Sequence, residues 1–235
     1  MTEPLFLSMA FDVSLTDPAR LLAVLDDMAS AGLNLSRLDD IEPARKVYSE
    51  ATITDLLTIP PVSKELPCRN PLGRGERSHI GIRACIPREP GGGSANIVDV
   101  TMNRPMKRDM SILAAFFEGD FFARHDAAYA CLDTWPEYAR QHVAGTINDR
   151  LPGVFWLNWL SRRYVEEIGE DVILSLPWFR ATRRAGGLTC WLYEDLGEVP
   201  DDRAERVDQF ETDLGREKFV KSGWENLPQL AVSTE

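Results

Sequence analysis

Metal or nucleophile chemistry in this chain would have to be built from His79, His125 and His142 and from Cys68, Cys85, Cys131 and Cys190. The sequence contains no HExxH and no His-x-His, and no carboxylate stands at ligand spacing from a histidine. The cysteines lie 17, 46 and 59 residues apart with no CxxC pair, so they read as free buried thiols, with disulfides not excluded. Cys131 has His125 and His142 within helical reach, yet Ala128 and Leu132 around it mark it as core. A Gly-x-Ser-x-Gly elbow and a Gly-x-Gly-x-x-Gly turn are both missing; Gly91-Gly92-Gly93-Ser94 comes nearest and lacks the Lys-Ser/Thr that a phosphate loop needs. Glu166-Glu167 and Asp201-Asp202 are paired carboxylates, but consecutive residues on a helix point in different directions. The expectation is a protein that is not an enzyme, with no catalytic residue, no metal and no cofactor.

Aromatic density is the other chemical signal. Trp156, Trp159, Trp178 and Trp191 fall between Phe155 and Trp191, and core packing is the first explanation for them. The alternative is a motif-poor enzyme with an aromatic pocket around Trp156, Trp178 and Trp191 for a small sugar-like or nucleotide-like ligand. Alternation along Phe155 to Leu160 makes both faces apolar, as in a central, covered strand.

These residues need elements to hold them. Leu5, Leu7, Met9, Phe11 and Val13 alternate with Ser8, Asp12 and Ser14 and predict a half-buried strand. Thr16-Asp17-Pro18 then opens a helix with Leu21, Leu22, Leu25, Met28 and Ala29 on one face and Gly32 at its end. Five prolines between Leu33 and Gly75 leave a long ordered connection with one short strand near Val47 to Ile53. His79 to Ile86 and Asn96 to Met102 form a hairpin across the glycine-rich tip, and Asp109 to Val143 reads as helix-rich, with Ala128, Cys131, Leu132 and Trp135 on one helical face. Ser161 to Gly169 is a short capped helix, Trp178 to Tyr193 a second hairpin, and Asp201 to Leu214 a closing helix. Strands and helices in mixed order give an α+β fold: an antiparallel sheet built from hairpins with helices packed mainly on one face. The length of 235 residues suits one domain over 1–235, and a subdomain break, if present, falls near 60–78.

Charge is concentrated at the two ends. The net charge is −11; residues 1–42 carry −6, residues 194–217 carry −7, and residues 43–193 carry +2. An acidic chain disfavours nucleic acid and anionic membranes and favours a basic partner. If the first and last helices share a face, Asp26, Asp27, Asp201, Asp202, Glu205 and Asp208 build one negative patch for that partner. The N-terminus lacks the pattern of a signal peptide and no apolar run is long enough to span a bilayer, so the expected location is the cytoplasm.

Pro152-Gly153-Val154-Phe155-Trp156-Leu157-Asn158-Trp159-Leu160 is followed by Tyr164-Val165, Ile168-Gly169 and the Gly186-Gly187-Leu188 hairpin with Glu194-Asp195 after it. Over roughly residues 110–200 this resembles the C-terminal half of bacterial immunity proteins paired with type VI secretion or polymorphic toxins, such as the immunity protein 52 family. The resemblance implies a non-enzymatic cytoplasmic α+β protein that binds and blocks a cognate toxin, often a nuclease. An acidic inhibitor of that kind speeds association with, and plugs, a cationic phosphate groove. An adaptor or chaperone for a secreted effector would share the same binding chemistry. A homodimer through the aromatic hairpin would double the acidic patch.

Overall fold

The structure, a computed structural model, describes residues 3–58, 68–85, 96–141, 151 and 153–215. Leu5–Phe11 (β1) is buried at every position, so it is not the half-buried strand that its alternation predicts. Ser8, the polar residue that suggested a wet face, donates to Asp99 Oδ1 at 2.6 Å and is satisfied without solvent. Pro18–Ser30 (α1) follows, capped by the Asp17 carboxylate, which accepts from the Ala19 N–H at 3.0 Å.

Next come β2 (Leu35–Asp39), β3 (Lys46–Val47) and α2 (Glu50–Thr58). The strand expected near Val47 to Ile53 is replaced by α2 from Glu50 onward. Ser49 Oγ accepts the Thr52 N–H at 3.2 Å, and Ile53, Leu56 and Leu57 recur at helical spacing and are buried. After β4 (Cys68–Arg69), β5 (Leu72–Gly75), β6 (Ser78–Cys85) and β7 (Asn96–Met102) come α3 (Lys107–Glu118) and α4 (Phe121–Arg124). Ala127–Thr134 (β8) corrects the helical reading of Ala128 to Trp135: every residue of it is buried. A strand covered on both faces is a continuous apolar run, and periodicity does not separate that from a buried helix. The chain continues through α5 (Trp135–Gln141), β9 (Leu157–Ser161), α6 (Arg162–Ile168), α7 (Glu170–Ser175), β10 (Arg180–Arg184), β11 (Gly187–Trp191) and α8 (Arg203–Leu214). Gly186, at φ +80°, turns the β10–β11 hairpin, and a Cβ on Gly187 would strike the Leu160 carbonyl oxygen.

The described strands form an antiparallel sheet in the order β10-β11-β9-β8-β1-β7-β6-β5-β2-β3, with β4 paired to β6. The eleven strands and eight helices among the described residues make this the α+β architecture expected from the mixed order of elements. Register assigns the faces. Leu5, Leu7 and Met9 share one face with Leu132, Ala130, Val100, Val98, Leu157 and Trp159. Phe6, Ser8 and Ala10 share the other with Asp133, Cys131, Asp99, Thr101 and Ile97. On the first face lie α3 and α4, with Phe122 against Trp159 and Thr189 Oγ1 donating to the Phe117 carbonyl at 2.7 Å. There α1 meets α3 where Ile112 covers Gly32, and α2 packs on α1 and β2. On the second face α5 and α6 cover part of the sheet, through Tyr138 on Phe6 and Tyr164 on Tyr129. Among the described residues the second face over β7, β6 and β5 is left open.

Cys68 and Cys85 are bonded to each other across β4 and β6, so they are not the free thiols of the sequence reading; Cys131 and Cys190 are free and buried. Among the described residues no helix is long and apolar enough to cross a membrane. The triple glycine, His142 and residues 60–67 of the suggested break near 60–78 lie outside the described residues.

Candidate functional site

The expected partner-binding acids fall into two groups. On α8, Arg203, Val207, Phe210 and Leu214 are buried, which turns Glu205 and Asp208 outward beside the exposed Asp201 and Asp202. Asp202 lies 3.6 Å from Arg206. Among the described residues, the carboxylates of Asp201, Glu205 and Asp208 have no ion pair or hydrogen bond. Arg203 anchors this helix: it pairs with the fully buried Asp133, lies 3.7 Å from Glu137 on α5 and sits over the Tyr193 ring at 5.5 Å. Asp133 also accepts from the N–H groups of Trp156 at 2.8 Å and Thr134 at 2.6 Å. Burial pushes its carboxyl up to about 6, against the pull of Arg203 and these two donors.

The α1 acids are engaged within the chain. Asp26 Oδ1 accepts from the Tyr48 hydroxyl at 2.6 Å. Asp27 pairs with Arg124, and its Oδ2 lies 2.8 Å from His125 Nε2. They tie α1 to the start of α2 and to α4. Because α1 lies with α3 and α4 on one face of the sheet and Arg203 holds α8 to the other, the two acidic runs do not form one patch.

The tryptophans proposed as an alternative pocket are packed together. Trp156 and Trp191 meet edge to face at 5.5 Å, Trp178 lies against Phe210 at 4.4 Å, and the Trp156 indole N–H donates to the Tyr193 carbonyl at 2.9 Å. They line neither of the two best-formed clefts among the described residues.

The larger of these, about 370 Å³, opens on the uncovered sheet face. Its floor comes from β5, β6 and β7, and its wall from Trp135 and Tyr138 of α5, with Glu42 at the rim. In register, Gly81 faces Asp99 and His79 faces Thr101 across β6 and β7, and Arg83 lies diagonally beside Asp99. A Cβ on Gly81 would meet only the Asp99 Cβ at 3.9 Å, so the floor leaves space at Gly81 beside Asp99. Burial raises the Asp99 carboxyl to about 6, opposed by the Ser8 hydroxyl and the charge of Arg83. The arrangement offers an exposed indole, a cation and a hydrogen-bonded acid, groups suited to recognition. Among the described residues no group of His, Cys, Asp and Glu could hold a metal ion. The sequence signal for this site was present in the polar positions of two alternating runs, His79 and Arg83 against Asp99 and Thr101, which pairing places on one face.

No protein-family model and no curated protein matches the chain. Among solved structures, a type VI secretion system protein of Pseudomonas aeruginosa is similar in fold, with a TM-score of 0.55 at 12% identity, covering 90% of this chain and 77% of that one.

Proposed function

We propose that the chain is an immunity protein of a type VI secretion system, which binds a cognate toxin and neutralises it without catalysis. The observation that carries the reading is the fold it shares with a type VI secretion protein across 90% of its length. The resemblance of residues 110–200 to immunity proteins supports it, as does a charge distribution suited to steering a basic partner. On this reading α8 supplies the acidic contact through Asp201, Asp202, Glu205 and Asp208, whose carboxylates are largely uncommitted among the described residues. Asp26 and Asp27 serve to fasten α1 and stand apart from that contact. We place the encounter in the cytoplasm, as the sequence suggests; the Cys68–Cys85 bond weighs the other way, because disulfides are rare where thiols are kept reduced.

The test is the viable count of a sensitive bacterium in which the toxin encoded beside this chain is induced alone or with it. The toxin alone kills, co-expression restores growth, and reversal of Asp201, Glu205 and Asp208 to lysine weakens the rescue. A toxin that kills regardless overturns the reading. A toxin that is bound in a pull-down but still kills points to an adaptor.

A further inference from the structure

We infer that the open sheet face beside α5 is a docking surface for an acidic segment of the partner protein, held by Arg37 and Arg74, which have no acidic partner among the described residues. Register places Arg37 of β2 directly across from Arg74 of β5, and Arg74 directly across from His79 of β6. Leu38, Gly73 and Ile80 point to the covered face, so Arg37, Arg74 and His79 share the open one. His79 brings the row to the cleft, and Arg83, four residues further along β6 on the same face, lines the cleft as well. None of Arg37, Arg74 and Arg83 has a carboxylate within ion-pair distance among the described residues, in a chain with 37 acids and 26 bases. Among the described residues Arg37 donates only to the Arg45 carbonyl, at 3.0 Å. Like charges directly opposed on neighbouring strands cost stability, and a fold with acids in excess had the means to relieve that cost. Of the neighbouring carboxylates, Asp39 is held by Lys46 and by the N–H groups of Asp40 and Arg45, and Asp99 by Ser8 and the charge of Arg83, so it is Arg37 and Arg74 whose charge is left uncompensated among the described residues.

The surroundings fit a protein rather than a small anion. Val47, directly across from Arg37, is 62% exposed, Ile41 58% and Trp135 44%, so apolar and aromatic surface frames the arginines. Tryptophan and arginine, exposed here at Trp135, Arg37 and Arg74, are among the residues that dominate binding energy at protein interfaces. The contact deepens the proposed function and rests on it for the partner's identity. Because Arg203 ties α8 to α5, and α5 walls the cleft, one toxin can reach both the α8 acids and the arginine row.

The test uses the whole chain, a capped tetraglutamate peptide and a capped tetralysine peptide, followed by amide and indole NMR shifts. Tetraglutamate moves the signals of His79, Gly81 and Thr101 and the Trp135 indole N–H, and tetralysine leaves them in place. In Arg37→Glu with Arg74→Glu the affinity for tetraglutamate falls at least tenfold. Arg37→Glu alone melts no lower than the parent, since it turns a like-charge pair into an opposite one. If tetraglutamate leaves those signals unmoved, or binds the double variant as well as the parent, the inference is overturned. It is overturned equally if the parent neutralises its toxin and the double variant does so to the same extent, a result that leaves the immunity reading standing. A toxin that the parent itself fails to neutralise removes that reading, and the peptide shifts still decide whether the face takes an acidic segment.

Discussion

Asp133 and Arg203 show how one buried pair sets both stability and the position of α8. Asp133 is fully buried and its carboxyl stands near 6, above the ordinary 3.8, so the folded state takes up a proton before the unfolded state does. Its contribution to stability therefore grows as pH falls through about 6 and is complete below the unfolded value. Removing the cation sharpens this, because the carboxylate loses its partner and rises further. Arg203→Met is expected to cost about 3–5 kcal/mol at pH 8, the range for breaking a buried pair, and less at pH 5, where Asp133 is protonated. Urea unfolding at the two pH values checks this; an equal loss at both would show that Arg203 acts through packing alone. Asp133 lies in a run that reads as helix, and its pairing with a residue far along the chain has no local signature. The residue-level chemistry of α8's exposed acids was legible, because helical spacing sorts Glu205 and Asp208 from Val207 and Phe210. That Asp26 and Asp27 are tied down was not, since Tyr48, Arg124 and His125 meet them only after folding.

At the scale of elements, pattern reading succeeded where one face of an element is wet and failed where none is. The hairpins at β6–β7 and β10–β11, the capped α1 and the closing α8 all carry an alternation or a periodic stripe that solvent sustains. In β8, whose eight residues are all buried, the same apolar density suits a helix equally well. The Cys68–Cys85 bond belongs here too, for it ties the two-residue β4 to β6 across a separation of 17 residues. Closing a loop of that size is worth about 3 kcal/mol in the chain-entropy account. Protein unfolded without reductant is expected to offer two alkylatable thiols, Cys131 and Cys190, and prior reduction to lower the unfolding midpoint. Four reactive thiols before reduction would contradict the pairing. Spacing alone could not reveal the bond, because only the β4–β6 register brings Cys68 opposite Cys85.

At the largest scale the described residues form a long antiparallel sheet with one face covered and part of the other open, and their charge divides accordingly. The acids of α1 fasten helices on the covered side, whereas the acids of α8 and the arginine row of β2, β5 and β6 flank α5 on the other. The charge count placed acids at both ends of the chain but could not say that the sheet would separate them, since that depends on which face each helix covers. The proposed neutralisation of a toxin by binding is tested by titrating the purified toxin with the purified chain and following residual toxin activity. Activity is expected to fall linearly to background at one chain per toxin, with the complex recovered intact. Activity that is unchanged at molar excess, or that is abolished by a small fraction of an equivalent, would contradict it, the latter by showing turnover where binding was claimed.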